Sequence, residues 1–399
     1  MQNGELQASV PAGAREEIAH FKDALADAVD AYIRCQTAPQ PDAKQIEQGL
    51  AGVLRANRPE ERERTVRSNG NDVLDHVYGR NLKVSVRRPE NHPQWLAVKL
   101  SFSIMCGSDS MLLVYDRSEG KWRRIVRWQS DPYARINGAF GDFLEYAAVP
   151  RKNGAWAVVA AHGTTWCTSI WSGFSTDLIA PADDQHPQHV FFHTQEGYVR
   201  ENAPAMRATK DGFLLRTLTG SLDANLWAHP EIFHYRVSGD RVQRIQPVAT
   251  NPRDFVDEWL QAKWSDATRW STPENKLRLK VAHERIAALR NPMAKDTTSF
   301  TYGPVRACAG NIRRFQVELD QDQGAPMYFG VLRDNATDTF LMLSASERSD
   351  ARCTQKIMEK TAAASQWWKT KNPPSRVSTR PYACSSREDF VRMAMRAPR

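Results

Sequence analysis

Residues 110–128, SMLLVYDRSEGKWRRIVRW, decide how this chain is read. Two runs rich in apolar, β-branched and aromatic residues flank the short turn EGK, and a glycine in so short a connection reads as a β-hairpin. Residues 234–246, HYRVSGDRVQRIQ, repeat the layout of residues 114–126, VYDRSEGKWRRIV: a strand, a Gly turn, then Arg-Ile in the returning strand. Outward from this pair, residues 82–249 read as three similar four-stranded antiparallel units. The first holds LAVKLSFSI, SMLLVYDRS and KWRRIVRW; the second FLEYAAVP, AWAVVAAHG, TSIWSGFSTDLIA and HVFFHTQ; the third AMRATK, GFLLRTL, EIFHYRVSG and RVQRIQPV. The expected fold class is mainly β with helical additions, built of antiparallel four-stranded meander units. The arrangement is propeller-like or, since three units are too few to close a ring, a twisted multi-sheet meander.

Helices frame this region. Ile18, Phe21, Leu25, Val29 and Tyr32 recur at three- and four-residue steps, and Asp42 with Gln45 is spaced as a capping box before Ile46, Leu50, Val53 and Leu54. Asn251 and Pro252 open another helix whose apolar face is Phe255, Val256, Trp259, Leu260 and Trp264. KLRLKVAHERIAAL fits either type: Leu277, Leu279 and Val281 alternate as in a strand, whereas Leu279, Ile286 and Leu289 suit a helix. The expected division is 1–60 helical, 61–81 linker, 82–250 β-meander, 251–297 helical connector, 298–350 a smaller C-terminal β segment and 351–399 a basic tail.

Composition narrows the classes. With 41% hydrophobic and 25% charged residues the chain has the make-up of a globular protein, not of a disordered one. The longest apolar run, residues 155–161, is far short of the roughly 20 residues a membrane helix needs. No signal peptide opens the chain as given, so cytoplasm is the default compartment, with an extracytoplasmic one if a leader was removed. After residue 351 there are eleven Lys and Arg against three Asp and Glu, so the tail holds the whole net charge of +8. The six cysteines are scattered singly with no CxxC pair, which speaks against zinc fingers and redox motifs. Free buried thiols are the first expectation and disulfides the second.

Residues 160–174, AAHGTTWCTSIWSGF, gather the groups of a nucleophilic site. His162 could lower the pKa of Cys167 and take its proton. A four-residue turn sets the two directly opposite, with β-carbons about 4.5–5.5 Å apart. A three-residue turn pairs Cys167 with Ala161 and sends the two side chains to opposite faces. Whether Asp177 joins them is open.

Other constellations read more simply as structure. Asp183, Asp184, His186, His189 and His193 are metal-binding types, but Val190, Phe191 and Phe192 favour a strand, in which residues four apart stand about 13 Å apart. Asp320, Asp322 and Gly324 begin like a calcium loop, with the glycine one position early. Ser118 and Lys121 satisfy SxxK inside a hairpin turn. No Walker loop, GxGxxG or HExxH occurs. No metal and no cofactor is expected.

Three functions follow in order. The first is a non-catalytic binding or scaffold protein presenting an aromatic-rich β-surface, Trp166 and Trp171 among its rings, to a glycan or protein partner. The second is a hydrolase with a loop-end site using His162 and Cys167 or nearby carboxylates. The third is a polyanion binder, the basic tail gripping the charges while Trp367 or Trp368 stacks.

Overall fold

The computed structural model describes residues 10–356 apart from 11, 39–40, 57–78, 80, 105–106, 119, 131–139, 152–153, 165–170, 201–203, 291–297 and 323. The hairpin of residues 110–128 forms as its pattern predicts. Strand β3 (Gly107–Ser118) returns as β4 (Lys121–Gln129) with Ser118 opposite Lys121, and Gly120 takes the left-handed φ of 79° that the tight turn requires. With β1 (Lys83–Arg87) and β2 (Leu96–Ile104) it makes a four-stranded antiparallel meander, β1-β2-β3-β4.

The run Met111-Leu112-Leu113-Val114 is apolar throughout because both faces of this sheet are covered. Met111 and Leu113 pack under α1 (Ala12–Arg34) and α2 (Ala43–Ala56), against Leu25, Val29, Ile33, Ile46 and Leu50. Leu112 and Val114 point the other way, onto Leu144, Val158, Ala160 and Ile179 of the next sheet. Asp42 caps α2 by accepting from Lys44 N at 3.0 Å. Lys22 of α1 is buried against Asp109 of β3 at 2.7 Å, and Ser130 Oγ donates to the same carboxylate at 3.1 Å.

The second and third sequence units join into one eight-stranded antiparallel sheet. Strands β5 (Phe140–Pro150), β6 (Trp156–Thr164), β7 (Trp171–Ala180) and β8 (His189–Arg200) form one half. The other half is β9 (Ala205–Thr209), β10 (Gly212–Thr219), β11 (His229–Ser238) and β12 (Arg241–Ile245). The joint is the pairing of Thr219 in β10 with Val199 in β8. The turn between β11 and β12 carries Gly239 at φ 65°, as residues 234–246 require.

Helix α3 (Pro252–Gln261) starts at Asn251, whose side chain accepts from Asp254 N at 2.9 Å, with Pro252 in the first turn. After α4 (Trp264–Ala267), the ambiguous stretch is helical, α5 (Lys276–Leu289). Leu279, Ala282, His283 and Ile286 are its buried side. Helices α3 and α5 pack on a six-stranded sheet, where Trp259, Leu260, Leu279 and Ile286 meet Val317, Phe329, Val331 and Met342. That sheet comprises β13 (Phe300–Tyr302), β14 (Arg306–Cys308), β15 (Asn311–Gln321), β16 (Met327–Asp334), β17 (Thr339–Ser346) and β18 (Cys353–Lys356). Cys308 and Cys353 are joined in a disulfide across β14 and β18, so the expectation of free thiols fails for this pair, while Cys35 is free and exposed. The protein is mainly β, with antiparallel meander units, an N-terminal helical pair and a smaller C-terminal sheet.

Candidate functional site

The sequence pointed to His162 in β6. Pairing between β6 and β7 runs on to Thr164 opposite Gly173, which puts Ser175 across from His162. Neither short turn forms, because the strands continue two residues past His162; Cys167 and Trp166 lie outside the described residues. What His162 does meet is Asp177 in β7, its Nε2 3.2 Å from Oδ2. The same carboxylate accepts Trp128 Nε1 from β4 at 2.8 Å and contacts His193 Nδ1 from β8 at 2.6 Å. Burial alone would raise the Asp177 carboxyl, but the contacts with His162, Trp128 and His193 overcome it and hold it below the ordinary value. The network ties the first sheet to the second.

The other candidates do not converge. His189 and His193 sit exposed on one strand, His193 turned to Asp177 and His186 to Asp183 at 3.1 Å. Asp322 accepts from Ser299 N at 3.0 Å, and Asp320 pairs with Thr301. Trp171 is half-buried at the start of β7. Trp367 and Trp368, with the basic tail, lie outside the described residues.

A different cluster gathers where β11, β12 and α3 meet. Alternation along β11 puts His229 and Glu231 on one face. Arg244 comes from β12, opposite Tyr235. Asp254, Asp257, Glu258 and Gln261 follow at three- and four-residue steps on α3, one polar stripe beside the apolar face. All three acids are buried. Arg244 Nη2 holds Glu231 Oε1 at 2.5 Å and its Nη1 holds Glu258 Oε1 at 2.6 Å. Its guanidinium lies 4.4 Å from the Phe233 ring centre and 5.4 Å from that of Trp270, which fixes its plane.

The two glutamates also share a hydrogen bond. Burial, the Glu231 charge and that hydrogen bond push Glu258 well above the usual glutamate range, against the pull of Arg244. Burial opposes ionisation of Glu231 as well, but Arg244 and the hydrogen bond from Glu258 prevail and hold it low. The pair is thus pushed apart, Glu258 toward the protonated form and Glu231 toward the ionised one. Beside it, His229 Nδ1 stands 3.3 Å from Asp257 Oδ2, off the line of a hydrogen bond, and neither ring nitrogen has a hydrogen-bond partner among the described residues. Asp257 is fixed by Ser221 Oγ at 2.5 Å, Leu222 N at 3.1 Å and Gln261 Nε2 at 2.8 Å.

Glu231, Glu258 and Arg244 form one wall of a cavity of about 660 Å³, whose lining also includes Lys263, Asp266, Arg269 and Arg290. That is the size of a small-molecule site. A ring nitrogen of His229 and one oxygen each of Glu231 and Glu258 lie within 4.8 Å of one another, close enough to hold a metal ion. Arg244 already binds both carboxyl groups there, so the guanidinium supplies the positive charge that a cation would bring. The sequence reading missed this cluster. The signal available to it was the stripe 254, 257, 258, 261, which reads equally as a solvated helix face.

No family model and no curated protein matches the chain. Among solved structures it is similar to the GH93 α-L-arabinofuranosidase of Fusarium graminearum in complex with arabinobiose. The identity is 8%, the TM-score 0.28, and the match covers 64% of each chain. It is also similar to a Penicillium chrysogenum α-L-arabinanase complexed with arabinobiose, at 12% identity and a TM-score of 0.27, over 71% of this chain and 70% of that one. The chain thus spans less than two thirds of the arabinofuranosidase's length. TM-scores this low carry neither fold nor substrate across. The expectation of a non-catalytic scaffold presenting an aromatic β-surface is corrected on burial: among the described strand residues no aromatic side chain is exposed. Trp95, Trp122 and Trp128 are buried, and Trp227, 72% exposed, stands in the loop before β11.

Proposed function

We propose that the protein is a hydrolase working in the 660 Å³ cavity, with Glu231 and Glu258 as its acid–base pair. The observation that carries this reading is two buried carboxyl groups held by one guanidinium at the cavity wall, in surroundings that push Glu258 up and hold Glu231 low. Glu231 takes a proton from a water as that water attacks the substrate's electrophilic atom. Glu258 gives its proton to the departing oxygen. Proton transfer across the hydrogen bond between them then restores the starting state, and the net change is one water consumed and one bond hydrolysed. Arg244, held between aromatic rings, keeps both carboxyl groups in place and stabilises the ionised one.

The test is a screen of aryl glycosides, carboxylic esters and phosphate esters, followed by Glu231→Gln and Glu258→Gln on whichever is cleaved. Each substitution keeps the shape and removes the acid–base function, so a loss of about 100-fold or more in kcat is expected. Full activity in either variant would refute the proposal. A second reading keeps hydrolysis but moves it to His162, favoured by the contact with Asp177 that orients its ring. There Cys167 would be the nucleophile, and its failure to react with iodoacetamide in the folded protein would exclude it.

A further inference from the structure

The charges around the cavity are unequally matched. Among its lining groups, Arg244 is taken by Glu231 and Glu258, and Arg269 by Asp266. Lys263 and Arg290 have no ion pair among the described residues. Four basic side chains, Arg244, Lys263, Arg269 and Arg290, thus line the cavity with three carboxyl groups, Glu231, Glu258 and Asp266.

Arg290 is the informative member. It ends α5 and folds back over the end of α3, where Nη1 meets Leu260 O and Nη2 meets Gln261 Oε1, both at the long distance of 3.4 Å. A guanidinium has five N–H donors, and these two contacts are weak. Burial depresses the Arg290 pKa, an effect that the charge of Asp257 partly offsets. Asp257 itself is committed to Ser221, Leu222 and Gln261. The result is a half-buried cation with donors to spare at the wall of a cavity, the arrangement that recognises a carboxylate or phosphate through paired N–H contacts. Lys263, exposed at the rim, adds a second positive charge.

We infer that the substrate carries an anionic group, carboxylate or phosphate, that docks on Arg290 while the bond to be cleaved lies against Glu231 and Glu258. This rests on the hydrolase reading for its second half alone; the anion site stands on the cavity and its charges. Inorganic phosphate and acetate, titrated separately by calorimetry, are the probes, and the one bound more tightly names the group. Wild-type protein should bind at least one of them. Arg290→Met should weaken it about tenfold or more, and Arg290→Lys, which keeps the charge without the paired donors, should fall between. Glu258→Gln should bind the anion undiminished while losing hydrolysis. If neither anion binds wild-type protein, or Arg290→Met binds as well as wild type, the inference is wrong, and the wild-type arm holds whether or not a variant folds. Anion binding with full hydrolysis by Glu258→Gln would leave the anion site standing and remove the proposed chemistry.

Discussion

Arg244→Met is the perturbation that weighs the cluster most directly. The Arg244 side chain is 8% exposed and those of Glu231 and Glu258 are 5% and 4% exposed, so water cannot screen the charges left behind. An exposed ion pair would lose about 0.2–1 kcal/mol. Removing one member of a buried pair costs about 3–5 kcal/mol, because the remaining charge stays buried without a partner. The larger figure applies here at neutral pH, where Glu231 is ionised. The pH dependence has a definite sign. In the wild type, Glu231 sits below the ordinary glutamate value of 4.5, so its contribution is present above that value and lost as pH falls through its folded pKa. Without Arg244 the force that lowered it is gone, burial raises it instead, and stability now falls as pH climbs past 4.5. Urea unfolding should therefore show a deficit of about 3–5 kcal/mol at neutral pH, shrinking below pH 4.5 to about 1–2 kcal/mol for lost packing and hydrogen bonds. Adding Glu231→Gln and Glu258→Gln to the variant should restore most of the neutral-pH loss. A deficit under about 1 kcal/mol at neutral pH, or one equal at both pH values, would show that the cluster is not charged and buried as described.

Two further expectations concern the frame around the site. Lys22→Met should destabilise by about 3–5 kcal/mol in urea unfolding, since Asp109 keeps Ser110 N and Ser130 Oγ but loses the ammonium group 2.7 Å away; pairing it with Asp109→Asn should recover a large part, and no recovery would refute the ion-pair account. Reducing Cys308–Cys353, which closes 45 residues, should lower stability by roughly 4 kcal/mol on the chain-entropy account; an unchanged unfolding midpoint in dithiothreitol would contradict it.

How far the sequence could be read depended on whether local pattern or distant partners set each feature. The hairpins at 107–129 and 229–245 were legible because a glycine with positive φ and two apolar runs suffice to define them. Helix α5 was ambiguous for a physical reason: Leu277 and Val281 are 78% and 61% exposed, and these two surface residues create the strand-like alternation with buried Leu279. The joining of the second and third units was invisible, since it turns on Thr219 meeting Val199, two residues with no local signature. The stripe on α3 was visible as a pattern, but its burial was not. His229, Glu231 and Arg244, which cover it, lie 10 to 32 residues away in the chain and become its neighbours only when β11 and β12 pack on the helix.

That burial is itself the argument for function. A helix whose only task is to dock onto a sheet is served as well by apolar side chains, because replacing a buried ion pair with well-packed hydrophobic residues is often neutral or stabilising by about 1–4 kcal/mol. Helix α3 already has such a face in Phe255, Val256, Trp259 and Leu260, which holds it to the six-stranded sheet. The acids on its other side add desolvation cost without being needed for that docking. They stand instead where β11 supplies a histidine and a glutamate, β12 supplies an arginine, and a cavity opens beside Glu231, Arg244 and Glu258. The network at Asp177 makes the contrast: it too buries a carboxylate, but it bridges two sheets and is not part of the cavity lining, so holding them together accounts for it. The Glu231–Glu258 pair has a cavity to serve, and stability alone does not call for it.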